Sequence, residues 1–181
     1  MSDNNYKTAL VTGATSGIGM ATAIKLSEAG IKVIATGRRL EKLKVLQSKI
    51  SCEIIELDIR DQDKIYSSLE NLEIDILVNN AGVGKGFSPI FKTAPKDINT
   101  TTETNVTSFL HVLRAVVPGM VERKRGHIIN LGSIAGLYPM ASSVYGGSKG
   151  AVHLINQNLR LELSGTGAVS YTHLTLPTKR I

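Results

Sequence analysis

The stretch Thr8-Ala9-Leu10-Val11-Thr12-Gly13-Ala14-Thr15-Ser16-Gly17-Ile18-Gly19 decides the fold. Its first five residues are a short β-rich run, and the next seven are a turn with glycines spaced Gly-x-x-x-Gly-x-Gly. Met20, Ile24 and Ser27 then recur at a spacing near 3.6, as on one face of a helix. A strand, a glycine-rich turn and a helix in that order form a phosphate cradle. Gly13 permits the tight turn, Gly17 lets the backbone approach a pyrophosphate, and Gly19 allows close packing of helix on strand. Ala14, Thr15, Ser16 and Ile18 complete the cradle, and the helix N-terminus faces the anion. The spacing differs from the usual Gly-x-Gly-x-x-Gly fingerprint, but the physics is shared.

Outward from this turn the same alternation repeats. Further β-rich runs are predicted at Lys32 to Thr36, Glu53 to Asp58, Ile74 to Asn79 and His127 to Gly132. Between them, Leu40, Leu43, Leu46 and Ile50, then Ile65, Leu69 and Leu72, mark helices. A longer helix carries Val106, Phe109, Leu113, Val116, Val117 and Met120, with Pro118 as a breaker near its end, and a last helix is predicted over Tyr145 to Leu163. Strands alternating with helices predict an α/β fold with a doubly wound parallel sheet, the Rossmann fold, which binds ligands at the strand C-terminal ends.

A chain of 181 residues suits one domain. About half of it is apolar when glycine is counted, which excludes intrinsic disorder. No apolar run approaches the roughly 18 residues of a membrane span, and Met1-Ser2-Asp3-Asn4-Asn5-Tyr6-Lys7 is too polar for a signal peptide, so no membrane partner and a cytoplasmic location are expected. Cys52 is the lone cysteine, and His111, His127, His153 and His173 show no ligand spacing; no metal site is expected. The formal net charge is +6, but the basic residues are spread along the chain and aromatics are 4% with no Trp, which argues against nucleic acid as a partner.

At the end of the second strand, where an acid would hold the adenosine ribose of NAD, stands Thr36-Gly37-Arg38-Arg39. Guanidinium groups there suit a 2′-phosphate, so the expected cofactor is NADP(H). Asp58 and Ile59 close the third strand, with Asp58 able to accept from an adenine amino group. Asn80, in Asn79-Asn80-Ala81-Gly82, shapes the end of the fourth strand; each could equally be a turn or cap residue.

The predicted chemical centre is Ser133 followed by Tyr145-Gly146-Gly147-Ser148-Lys149. Tyr145 and Lys149 are four apart and share a helix face, so the ammonium can favour the phenolate. Tyr145 is then a general acid/base and Ser133 orients the substrate oxygen. No Gly-x-Ser-x-Gly elbow surrounds Ser133, which argues against a hydrolase. The rival readings are a non-catalytic NADP-binding sensor, which needs no Ser133, Tyr145 and Lys149, and an S-adenosylmethionine-dependent methyltransferase, which usually has an acid where Arg38 and Arg39 stand.

From about Lys7 to Gly167 these motifs resemble the short-chain dehydrogenase/reductase family. The resemblance implies Asn105, Ser133, Tyr145 and Lys149 as catalytic residues, with Asn105 supporting a water relay to Lys149, and Tyr145 and Lys149 also contacting the cofactor. Ala35 to Arg39, Val117 to Arg123 and Gly126 to Asn130 look like the branch of NADP-dependent serine and 3-hydroxy acid dehydrogenases. It implies a small hydroxy acid as substrate and a homo-oligomer, dimer or tetramer. The family's Pro-Gly motif, substrate loop and last strands are absent. Residues 168–181 show no strand pattern and resemble a translated transposon-end adapter. The expectation is an NADP-binding domain over 1–167, cut off after the fifth strand and its helix, with a non-native tail over 168–181 and no activity in the chain by itself.

Overall fold

The computed structural model describes residues 6–173. Six parallel strands form one sheet in the order β3-β2-β1-β4-β5-β6. They are β1 Thr8–Val11, β2 Lys32–Gly37, β3 Glu53–Glu56, β4 Ile76–Asn79, β5 Gly126–Leu131 and β6 Ala168–His173. The helices are α1 Gly17–Glu28, α2 Leu40–Lys49, α3 Gln62–Leu69, α4 Pro95–Thr102, α5 Ser108–Glu122 and α6 Ser143–Glu162.

Alternation along the strands builds two apolar layers. Leu10, Ile34, Leu77 and Ile128 point to one face and pack with Ile65 and Leu69 of α3, Phe109, Val112 and Val116 of α5, and Val152 and Leu159 of α6. Val11, Val33, Ala35 and Val78 point to the other and meet Ala23 of α1 and Leu43 and Leu46 of α2. Because both faces are covered, the central strands read as unbroken apolar runs. The strand order reverses between β1 and β4, and the crevice beyond their C-terminal ends is where such sheets bind ligands.

Three expectations are corrected. The sheet does not stop at the fifth strand: β6 pairs with β5 from Gly126 opposite Ala168 to Leu131 opposite His173. Its inward positions are Ala168 and Ser170, and the polar one hides the strand pattern. Ser170 is buried by donating to Asn156 Oδ1 (2.6 Å), which also accepts from Asn130 Nδ2 (2.7 Å). The expectation for the tail's remaining residues, 174–181, lies outside the described residues.

Pro118 does not break its helix, since α5 continues to Glu122 around the fully buried Met120. Nor is the long helical segment continuous. Glu103–Thr107 is a π turn between α4 and α5, a distortion often found at functional sites. Among the described residues no helix is long and apolar enough to cross a membrane.

Candidate active site

The glycine turn wraps the end of β1. Gly13 has φ +67, and a Cβ there would stand 2.9 Å from Ala81 Cα. A Cβ at Gly19 would collide with the Asn80 amide and the Gly13 carbonyl. Asn80 uses its Nδ2 to bond Thr12 O (2.8 Å) and Gly13 O (3.3 Å), so it staples the end of β4 to the turn. Gly19→Ala is therefore expected to lower stability by about 1–3 kcal/mol through overpacking, read as a lower Tm. An unchanged Tm would show that the turn relaxes freely.

A cavity of about 390 Å³ opens beside this turn. Of the residues predicted to bind cofactor, it brings together Gly13, Thr15, Ser16, Ile18, Arg38, Arg39, Asp58, Ile59 and Asn80. Tyr145 and Lys149 do not line it, and neither do Ala14 and Gly17. Ala14 is fully buried with its amide on Thr36 O (2.9 Å), and Gly17 starts α1 with φ +57. Both shape the turn rather than its wall.

The two arginines divide the cavity. Arg39 NH2 donates to Thr15 Oγ1 (2.8 Å) and Ser16 Oγ (3.0 Å), which sets its guanidinium against the glycine turn. Arg38 NH1 lies 3.9 Å from Asp58 Oδ2. Sequence reasoning missed a third cation, Arg60. It grips Asp58 with Nε on Oδ1 (3.1 Å) and NH2 on Oδ2 (2.6 Å). That hydrogen-bonded pair holds the Asp58 carboxyl below the usual carboxylate range, against the opposing effect of burial, and Arg38 adds to the lowering. The only signal for Arg60 was a basic residue two places after Asp58. Val83 and Thr104, which also line the cavity, gave none.

At the other end of the crevice Ser133 follows β5 and caps a short 3₁₀ turn, its Oγ accepting from Ala135 N (3.2 Å). Tyr145 is half-buried in the first turn of α6. Ser133 and Tyr145 line one cavity of about 280 Å³ with Phe87, Tyr138 and Met140. One helical turn beyond Tyr145, Lys149 is 9% exposed, and its Nζ donates to Leu131 O (2.8 Å) at the end of β5. Burial pulls its ammonium down to about 8.

Asn105 sits inside the π turn. Its Oδ1 accepts from Val83 N (2.8 Å), and its Nδ2 donates to Val83 O (2.9 Å) and Ser148 Oγ (3.0 Å), tying the β4 loop to α6. A Cβ at Gly82 would lie 3.3 Å from Asn105 Oδ1 and 3.6 Å from Lys149 Nζ, so both side chains reach one point of the strand end. Among the described residues no group of three or more His, Cys, Asp or Glu could hold a metal ion.

Comparison with known proteins matches this arrangement to one family. The short chain dehydrogenase family model covers residues 7–176. The NADP-dependent 3-hydroxy acid dehydrogenase YdfG of Salmonella typhi is 45% identical over 165 residues, covering 87% of this chain and 66% of that protein. The same enzyme from Escherichia coli K12 gives the same figures. The crystal structure of serine dehydrogenase from Escherichia coli superposes with a TM-score of 0.87 at 43% identity, over 91% of this chain and 80% of that one. The closed form of serine dehydrogenase complexed with NADP+ gives 0.89 at 42% identity, over 93% and 71%. The chain thus spans 66% of the length of the curated relatives it matches. A parallel sheet in this order, a glycine turn at its switch point and a family match over residues 7–176 agree: the chain belongs to the short chain dehydrogenase family.

Proposed function

We propose that the chain is the catalytic core of an NADP-dependent oxidoreductase that interconverts a small hydroxy acid, such as serine or another 3-hydroxy acid, and the corresponding carbonyl compound. The observation that carries this is the joint presence of Ser133 and Tyr145 on one cavity wall, with Lys149 buried one turn behind Tyr145. The substrate class follows that of the similar 3-hydroxy acid dehydrogenase and serine dehydrogenase.

The cradle fits a phosphorylated dinucleotide. Gly13 and Gly19 let the turn close tightly against Asn80 and Ala81, the start of α1 faces the cavity, and Arg38, Arg39 and Arg60 oppose a single lining carboxylate, Asp58. That surplus of positive charge suits a 2′-phosphate. When bound, NADP(H) supplies the hydride chemistry. The chain's own groups handle the proton and the oxygen. In the oxidising direction Tyr145 Oη accepts the proton of the substrate hydroxyl, and Ser133 Oγ orients the same oxygen. Lys149, one helical turn along α6, places positive charge on the same helix face as Tyr145. Asn105 holds the β4 loop against α6, and through Gly82 it stands beside Lys149. Residues 1–167 are proposed as the oxidoreductase domain, with β6 from Ala168 paired onto its β5 edge. In β6 Ala168 and Ser170 are buried and the Tyr171 ring stacks on His127 at 5.1 Å.

Fluorescence titration with NADPH and NADH tests the cofactor assignment, and NADPH is expected to bind more tightly. Arg39→Ala removes a charge-assisted contact and should weaken NADPH by about 10- to 150-fold while changing NADH little. Equal affinity for the two cofactors in the unaltered chain would overturn the assignment. A panel of serine, other 3-hydroxy acids and bulky apolar alcohols tests the substrate class, which fails if only the bulky alcohols turn over.

A further inference from the structure

We propose that Arg60 is a positioning residue for cofactor selection: by gripping both oxygens of Asp58 it keeps Arg38 free to meet the 2′-phosphate of NADP(H). The inference rests on the NADP reading above and adds a residue that acts on the phosphate through its neighbours rather than by touching it.

The strand ends set up a competition. β2 and β3 run in register with Gly37 opposite Glu56, and Leu57 N donates to Gly37 O (3.0 Å), so Arg38 and Asp58 leave the sheet side by side. An arginine and an aspartate on neighbouring strand ends are placed to close into a two-pronged ion pair. Here they do not. Arg38 NH1 stays 3.9 Å from Asp58 Oδ2, beyond hydrogen-bond reach, and the Arg38 side chain is 58% exposed.

The reason is that Asp58 is already taken. Its Oδ1 accepts from the Arg60 backbone N (3.1 Å) and from Arg60 Nε (3.1 Å), and its Oδ2 accepts from Arg60 NH2 (2.6 Å). Asp61 N donates to Asp58 O (2.9 Å), which closes the turn that holds residues 58 and 60 together. The Asp58 carboxylate first, and Glu103 at the start of the π turn after it, favour the charged guanidinium of Arg60. Arg39 lies outside the competition, with its guanidinium on Thr15 and Ser16. Without Arg60, the cation left beside Asp58 is Arg38, and the carboxylate would draw it away from the cofactor. An uncompensated carboxylate would also repel a phosphate bound nearby.

Fluorescence titration of NADPH and NADH into the 181-residue chain, in a double-mutant cycle of Arg60→Gln with Asp58→Asn, tests this without any turnover. Arg60→Gln should cut the preference for NADPH over NADH by about tenfold, the size of one lost charge-assisted contact. In the Asp58→Asn background the same change should cut it by less than about twofold, because no carboxylate remains to capture Arg38. Arg60→Lys keeps the charge but not the fork, and should restore part of the preference. If Arg60→Gln melts too low to titrate, Arg60→Lys in the two backgrounds carries the same comparison. A preference that the Arg60 variants leave intact, or a loss of equal size in both backgrounds, overturns the proposal; the second result would mean that Arg60 meets the phosphate itself. Equal affinity for NADPH and NADH in the unaltered chain overturns the cofactor assignment, and the proposal with it.

Discussion

In an enzyme of the relatives' full length, Tyr145→Phe is expected to lower turnover by about 10²- to 10⁴-fold, the range that a positioned acid/base contributes, with cofactor affinity nearly unchanged. The substitution removes one oxygen and leaves the ring. Packing against Phe87 at 4.9 Å needs only that ring, so the cavity keeps its wall and α6 its place. Ser133 remains fixed by the Ala135 amide, and Lys149 by Leu131 O. What is lost is the atom that exchanges a proton with the substrate oxygen. An interaction made only in the transition state lowers kcat and kcat/KM together. Steady-state kinetics with a fluorescence titration of NADPH reads both quantities. A variant that retains more than a tenth of wild-type turnover would remove Tyr145 from the mechanism and leave Ser133 as a structural cap alone.

The parts of the site that were legible in the sequence are those whose chemistry is tied to regular structure. The glycine turn could be read because Gly13 and Gly19 meet a contact that follows from a strand passing into a helix. Tyr145 and Lys149 could be read because four residues make one helical turn. Arg60 was not legible: an arginine after a strand looks like any solvated charge, and its partner Asp58 is set by the local turn. Phe87, Tyr138 and Met140 come from two loops without periodicity, and only the fold brings them to Tyr145. The sixth strand escaped because its inward residue, Ser170, is polar and is satisfied by Asn156 on a helix that the sequence pattern could not place opposite it. The burial of Lys149 was hidden as well, since a lysine on a helix usually lies in water.

That burial gives the second large effect: Lys149→Met is expected to raise stability at neutral pH and, in an enzyme of the relatives' full length, to abolish most turnover. Lys149 is 9% exposed and its ammonium is pulled down to about 8 by desolvation, from an ordinary 10.5. A group whose folded pKa lies below its unfolded value binds more protons in the unfolded state between the two. The wild-type protein therefore gains stability as pH rises from about 8 to about 10.5, and below about 8 it carries the full cost of a buried charge. The difference corresponds to about 3 kcal/mol at neutral pH. Methionine has similar length, no charge and an apolar surface. It forfeits the bond to Leu131 O, and an orphaned buried carbonyl costs about 1–3 kcal/mol. A net gain of about 1 kcal/mol follows, or a Tm higher by about 2–4 °C for a domain of this size. Thermal melts from pH 7 to 10.5 check the sign, because the advantage of Lys149→Met should shrink across that window and reverse at its top. A variant less stable at pH 7, or one whose difference from wild type does not change with pH, would show that Lys149 is not held at an electrostatic cost. The expected pairing of higher stability with lost turnover would instead mean that the chain keeps a charged lysine in its interior for what that charge does to Tyr145.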